Sequence, residues 1–566
     1  MVSESTRVAM NCPPSDQVPA PESTADTVSG SPMDEVLSAI RTNDTLIALF
    51  KAVSEIWVSK VFRSGVDFVP MNVDVQSNDS PALTTKADLL REVVCRGRIR
   101  FRSDTVDQNV RDGWRKVLSA RPADRRTQNA AILGLLTCLD ELVGEILEKM
   151  RIRRDHVDLT KSPFAPIVDA GVFPLWSARN RGALRLWERA KKSFSVIHPL
   201  SSAVSDPWFH LRSAVPNRGG QTFPVDWHGD RVLDRWLDRA VSQRKLRITL
   251  VPLAAPEPLV EVLEWRLVPQ SGQIRFLFKP AKALSDDLKR RQNVELKERL
   301  ESVTRSDDAH LVVFPELTVH DEVLEELKKV VQGAKRDDPN MPTIPLVVAG
   351  SYHQGHGSSP RNEGMVLRPD PNAGTPFHLF HVRKSYPVVL QGGDARELAS
   401  QLKLNIEAKS AFAESPVLIE DIEAPPGGYP IQILDTSIGR IALVICRDGL
   451  DENEEIVRLL GELRVDLLLI PSMNPGKLDR FQTQFGRLTE KLVGVCWVNV
   501  LWPQAQDQET CAVALPLRSR GVEGASQGHR CYVAHKTSKE SGLAGIGHPS
   551  EIPGGLSVDL GKLVDW

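Results

Sequence analysis

The chain has no apolar run long enough to be read as a membrane span. Its most apolar helical candidate, residues 130–147, carries Asp140, Glu141 and Glu145 within it, and such groups are costly in hydrocarbon. It has no Cys-x-x-Cys pair. The seven cysteines are an odd number, widely scattered, so no disulfide framework is suggested and a reducing, cytoplasmic setting is expected. It has no excess of either charge: 71 Lys and Arg stand against 73 Asp and Glu, a net charge of −2. Nothing global therefore points to nucleic acid or an anionic membrane, and neither partner is expected. The first residues show no basic segment leading into an apolar one, so no signal peptide is expected. What is present is ordinary for a globular protein, 41% hydrophobic and 25% charged over 566 residues, enough for two or three domains.

Residues 1–33 are rich in Ser, Thr, Pro, Asp and Glu, and the composition predicts a disordered tail. From Asp34 the periodicity turns helical. Asn43 or Asp44 can cap a helix whose apolar face carries Leu46, Leu49, Phe50, Val53, Ile56, Trp57 and Val61. Further helices are predicted over residues 86–95, 127–150, 182–192 and 230–243, with loops near 76–81, 162–166 and 217–227. Residues 34–243 thus read as a mainly helical region. Arg96, Arg98, Arg100 and Arg102 alternate with Cys95, Gly97, Ile99 and Phe101, which predicts a strand with one basic, solvated face.

The second half changes period. Residues 245–251, 311–314 and 344–350 read as strands, with a hairpin around 269–272 and helices over 284–303 and near 323–330. This alternation implies a largely buried sheet with helices against it. Residues 439–448 hold an unbroken apolar run, Ile441 to Ile445, that stops at Cys446, followed by Arg447, Asp448 and Gly449. A cysteine at a strand end, on a turn, has the rigid base and free backbone N–H groups that a strand–turn–helix nucleophile needs. Two other strands end in chemistry: Ala-His-Leu-Val-Val-Phe-Pro-Glu closes on Glu316, and Phe-His-Val-Arg-Lys closes on Lys384. His353 and His356 have metal-like spacing. They sit on a Gly-rich loop with no carboxylate or cysteine close in sequence, and no metal is expected.

Glutamate, lysine and cysteine in this order, each just past a strand, resemble the carbon–nitrogen hydrolase (nitrilase/amidase) superfamily. Asp435-Thr436 and Gly439-Arg440 before the cysteine, and Val465-Asp466-Leu467-Leu468-Leu469-Ile470-Pro471-Ser472 after it, add to the resemblance, which covers roughly residues 245–560. It implies an α/β fold, an α-β-β-α sandwich over residues 244–566, preceded by the helical region. It also implies Cys446 as nucleophile, Glu316 as general base and acid, Lys384 as oxyanion stabiliser, the backbone N–H of Arg447 as a second oxyanion donor, and no cofactor. A second, supporting glutamate is implied after the lysine; Glu414 is the candidate and Glu407 its rival. Relatives pair through outer-face helices, so a homodimer or larger homo-oligomer is expected.

Three departures bear on substrate. Arg447 stands where relatives usually carry an aromatic residue, 61 residues separate Lys384 from Cys446, with an insertion expected over 391–416, and the family's Gly-Ser-Ser-rich loop is not found at 519–528. The expected activity is hydrolysis of a non-peptide C–N bond in a small amide or related molecule, through a thioester. A second reading stays open: a regulated effector or oligomerising interaction protein, as in prokaryotic defence systems. In it, residues 34–243 bind a protein partner and the hydrolase-like half is conditionally active or a scaffold.

Overall fold

The structure is a computed structural model of the chain. It describes residues 31–61, 81–96, 99–100, 104–154, 171–175, 211, 213–216, 224–242, 246–256, 258–268, 273–305, 309–333, 342, 344–355, 359–393, 395–396, 417–449, 455–474, 479–501, 509–517, 530–537, 547–548 and 556–559. Of the predicted disordered tail 1–33, residues 1–30 lie outside the described residues, while Ser31 caps the first helix and Pro32 and Met33 open it. The predicted helix 182–192 and both Glu407 and Glu414 also lie outside the described residues.

The first part is helical where described: α1 (Pro32–Thr42), α2 (Leu46–Ile56) running into a π turn (Trp57–Val61), α3 (Pro81–Arg96), α4 (Gln108–Ser119) and α5 (Arg125–Arg154). The cap of α2 is Thr45, not Asn43 or Asp44. Thr45 has extended backbone and its hydroxyl accepts the N–H of Ala48 at 3.2 Å, while Asp104 accepts the N–H of Ile47 at 3.1 Å. Asn43 instead closes α1. The predicted face holds: Leu46, Leu49, Phe50, Val53 and Trp57 are buried. Arg96 belongs to the end of α3 and pairs with Glu92; among the described residues of the alternating run, Ile99–Arg100 form β1, paired with β2 (Thr105–Val106), and Arg98 and Arg102 lie outside the described residues. A second short pair joins β3 (Phe173–Pro174) to β4 (Ser213–Ala214).

Two seven-stranded sheets follow. The first contains β6 (Arg247–Leu250), β9 (Ala309–Val313), β10 (Leu346–Gln354), β11 (Arg361–Arg368), β12 (Phe377–Arg383), β21 (Gly547–His548) and β22 (Leu556–Asp559), in the order β12-β11-β10-β9-β6-β22-β21. The second contains β5 (Val225–His228), β15 (Ile431–Thr436), β16 (Gly439–Leu443), β17 (Leu467–Pro471), β18 (Gly494–Val498), β19 (Glu509–Leu517) and β20 (Arg530–Thr537), in the order β20-β19-β18-β17-β16-β15-β5. Residues 225–227, expected in a loop, form the edge strand β5, parallel to β15. The backbone of residues 225–228 satisfies its hydrogen bonds there, so this sheet takes in chain from before residue 244.

Alternation assigns the strand faces. Leu311 and Val313 on β9, with Ile441, Leu443 and Ile445 on and just past β16, fall in one core cluster drawn from both sheets. Val312 and Phe314 fall instead with residues of α7 (Asp286–Arg305) and α8 (Asp321–Gly333). Ala442 and Val444 fall with α9 (Glu455–Glu462) and α10 (Asp479–Glu490), in a cluster that runs on into the N-terminal helices. A strand apolar on both faces is what this arrangement requires. The helix α6 (Arg231–Ser242) sits between β5 and β6 in the chain, with Leu233 and Leu237 in the shared cluster.

A third sheet has four strands, β7 (Leu263–Val268), β8 (Gln273–Phe278), β13 (Val389–Gln391) and β14 (Val417–Glu420), in the order β13-β14-β8-β7. The predicted hairpin is therefore present, but as part of this small sheet rather than of a large one.

The bend of β10 depends on glycine. The β10–β11 pairing shifts register between Val348 and Ser351, and Gly350 there has φ +73°. A Cβ on Gly350 would lie 2.2 Å from the carbonyl oxygen of Pro315. Gly350→Ala is expected to lower stability by at least about 1 kcal/mol from the left-handed backbone alone, with the clash against Pro315 in addition. Denaturant unfolding of the two proteins measures it.

Candidate active site

Glu316, Lys384 and Cys446 are distant in sequence and converge where strands of both large sheets end. Glu316 follows β9 on a turn held by the Thr318 hydroxyl on the Pro315 carbonyl (3.1 Å) and by the Leu317 N–H on Ser351 Oγ (3.4 Å), with Leu317 at φ +58°. Lys384 follows β12, and its N–H bonds the Asn362 carbonyl at 3.0 Å. Cys446 opens a 3₁₀ turn (Cys446–Gly449) with φ +44°. A non-glycine residue there costs on the order of 1–3 kcal/mol. The buried Ile441, Leu443 and Ile445 just before it contribute roughly 1.5–3 kcal/mol each, so the strand can hold the strained turn.

Lys384 has no exposed side-chain surface. Its Nζ donates to Glu316 Oε1 at 2.6 Å and to Glu420 Oε2 at 2.7 Å. Burial, the largest influence, works against its charge, but the two carboxylates outweigh it and hold the amine above the usual lysine value. Glu420 is the carboxylate that sequence reading passed over. It ends β14 on the small sheet, and its Oε2 also accepts the N–H of Val388 at 2.9 Å. Its Oε1 accepts from Asn362 Nδ2 at 3.0 Å and bonds His353 Nε2 at 2.9 Å. Burial again works against ionisation most, yet Lys384 and His353 hold this carboxyl well below the usual range. Its signal in the sequence was an acidic end to a short apolar strand, Val417–Glu420, the same pattern that marked Glu316.

Asn362 Nδ2 also donates to Glu316 Oε1 at 2.8 Å, so one amide bridges the two glutamates. The other oxygen of Glu316 accepts the N–H of Met473 at 2.9 Å. Ser472 Oγ lies 3.3 Å from Cys446 Sγ. Burial pushes the Cys446 thiol up to about 12, with Glu316 adding to the rise and Lys384, Ser472 and the Met473 N–H opposing it. The cysteine is therefore a thiol at rest and needs a base to react. Asp448 receives the N–H groups of Ser385 (2.8 Å) and Tyr386 (2.9 Å), tying the Cys446 turn to the chain beyond Lys384. Burial pushes its carboxyl up to about 7 against those two bonds. Arg447 is half-buried on the same turn as Cys446.

His353 is not placed as a metal ligand: its Nδ1 accepts the Phe278 N–H at 2.8 Å and its Nε2 bonds Glu420, so both ring nitrogens are used. His356 lies outside the described residues. Among the described residues no group of three or more His, Cys, Asp or Glu is arranged to hold a metal ion, and no helix is long and apolar enough to cross a membrane. Cys446 is 5% exposed. A cleft nearby is lined by Arg383, Ser385, Tyr386, Tyr429, Pro430 and Asp448, among others, with Cys446 not in its wall.

No family model and no curated protein matches the chain. Among solved structures it is similar to an amidase from Nesterenkonia sp., at 14% sequence identity over 56% of this chain and 89% of that one, with a TM-score of 0.30. It is similar also to Nit3 of Saccharomyces cerevisiae, a member of branch 10 of the nitrilase superfamily, at 12% identity over 51% of this chain and 89% of that one, with a TM-score of 0.29. A glutamine-dependent NAD+ synthetase from Acinetobacter baumannii is similar at 14% identity over 51% of this chain and 45% of that one, with a TM-score of 0.28.

A thiol held up to about 12 beside a carboxylate predicts a particular pH dependence. With Glu316 as the base, alkylation of Cys446 by iodoacetamide is expected to change little with pH across the neutral range. In Glu316→Gln the reaction is expected to be slower there and to rise about tenfold per pH unit, as for a thiol ionised by solvent. Intact-mass kinetics read both profiles.

Proposed function

We propose that the chain is a cysteine-dependent carbon–nitrogen hydrolase of the nitrilase/amidase kind, acting on a small amide or related molecule through a thioester. The observation that carries the reading is one cluster: a fully buried lysine paired to two glutamates, next to a cysteine on a strained turn at a strand end. The same reading takes the two large sheets and their flanking helices as an α-β-β-α sandwich. It is supported by the core cluster drawn from both sheets and by the separate clusters on their other faces.

Attack begins as Glu316 takes the Cys446 proton and sulfur bonds the amide carbon. Negative charge gathers on the carbonyl oxygen, where Lys384 and a backbone N–H at Arg447 stabilise it. Glu316 passes its proton to the nitrogen, the C–N bond breaks and the amine leaves. Water then attacks the thioester while Glu316 takes its proton. The C–S bond breaks, the acid departs and the proton returns to sulfur. Glu420 stays ionised throughout and serves as a fixed counter-charge to Lys384, which deters the lysine from turning toward Glu316 alone. Acyl transfer to another nucleophile in place of water uses the same intermediate.

The second reading, a conditionally active effector, is favoured by two observations. Cys446 is almost completely enclosed. The N-terminal region is also packed in: Arg458 bonds the Pro216 carbonyl and Arg464 the Leu211 carbonyl, each at 3.3 Å, and the α9–α10 core runs on into the helices. In this form of the proposal residues 34–243 bind a protein partner that opens the site, and the assembly is a cytoplasmic homo-oligomer.

Trapping separates the readings. Intact-mass analysis after incubation with a panel of small amides is expected to show an acyl adduct on the wild-type protein and none on Cys446→Ala. An adduct persisting in Cys446→Ala would sink the assignment of the nucleophile. Absence of any adduct from the folded wild type would overturn constitutive hydrolysis in favour of a gated site or scaffold.

A further inference from the structure

The proposed reaction has no task for His353, yet this histidine is 1% exposed and both its ring nitrogens are committed. It stands on β10 of the first large sheet, past the register shift that follows Val348. Its two partners lie on neighbouring strands of the small sheet, the Phe278 N–H on β8 and the Glu420 carboxylate on β14. The first bond decides the tautomer. A backbone N–H can only donate, so Nδ1 must be the acceptor, and the ring proton of the neutral imidazole sits on Nε2. Nε2–H therefore points a donor at Glu420 Oε1, 2.9 Å away.

Glu420 thereby accepts four bonds: His353 and Asn362 on Oε1, Lys384 and Val388 on Oε2. Asn362 is shared with Glu316, and Lys384 is the group being positioned. Of the side-chain donors, His353 alone bonds Glu420 without also bonding Glu316. It fixes the rotation of the carboxylate about its own axis, and so the point from which Oε2 holds Lys384 Nζ.

Resting on the hydrolase reading above, we propose that His353 is a positioning residue: through its Nε2–H it orients Glu420, which sets the Lys384 ammonium where the developing oxyanion needs it. The rival account is a purely structural one, in which His353 bolts the small sheet to the large one through Phe278. Two substitutions separate them, because each keeps one of the two bonds. His353→Asn can place an acceptor near the Nδ1 position for Phe278 but does not reach Glu420. His353→Gln can reach Glu420 with an amide N–H and gives up the acceptor at the Nδ1 position.

The test compares two reactions of the full-length chain. Acylation by p-nitrophenyl acetate forms a C–S bond and breaks the C–O bond to p-nitrophenolate. The thiol proton passes to Glu316, and charge builds on the carbonyl oxygen. Alkylation by iodoacetamide displaces iodide from carbon and builds no oxyanion. Acylation of Cys446 by the Asn variant is expected to fall about ten- to a hundredfold, the size of one lost hydrogen bond to a charged group. Alkylation and the thermal midpoint are expected to change little, and the Gln variant to keep more acylation than Asn. Acylation unchanged in the Asn variant overturns the proposal. So does a parallel fall in acylation, alkylation and thermal midpoint, which assigns His353 to structure alone. A wild-type chain that gives no acetyl adduct on Cys446, with Cys446→Ala as background, overturns the hydrolase reading and this proposal together.

Discussion

A lysine with no exposed side-chain surface stays charged only if counter-charges are built around it, and the site is arranged around that requirement. Lys384 has two, Glu316 and Glu420, delivered by different sheets. Losing either would remove one of the two ion pairs that offset the desolvation of the lysine, which costs several kcal/mol per ion. Two carboxylates against one ammonium also leave one negative charge in excess. The donors on Glu316 and Glu420 — Asn362, His353 and the N–H groups of Val388 and Met473 — spread that charge over fixed dipoles.

The same excess explains the resting state of the cysteine. An isolated cationic neighbour would pull the thiol down. Here Glu316 and burial push it up, and Lys384 offsets them only in part. The Cys446 thiol is thus kept protonated, with the Glu316 carboxylate close enough to raise it further. Two of the positive-φ non-glycine residues lie in the same place, Leu317 beside Glu316 and Cys446 itself. Each is held by a strand buried on both faces, the part of the fold best able to absorb the strain.

Much of this was legible in the residues. Glu316, Lys384 and Cys446 each end a short apolar run, and an apolar strand that stops at a reactive side chain is a local pattern. The helix face of Leu46–Ile56 and the helix over residues 127–150 were legible for the same reason, since 3.6-residue periodicity is local too. The cap Thr45 and the strand Val225–His228 were not. The cap choice depends on Asp104, distant in sequence, taking a neighbouring N–H, and the strand depends on β15 being present to pair with it.

The candidate second carboxylate shows the limit most clearly. Sequence neighbours point to Glu414, whereas Glu420, six residues on, is the carboxylate that joins Glu316 against Lys384, brought there because β14 pairs in parallel with β8. The sequence by itself determined that strands end on Glu316, Lys384 and Cys446, because an apolar run with an abrupt polar end is written in adjacent residues. Only the tertiary structure decided which carboxylates flank Lys384, that Asn362 bridges them, and that His353 sets its ring nitrogens against Phe278 and Glu420. Those facts are set by distances between strands of different sheets, and no local run of residues encodes such distances.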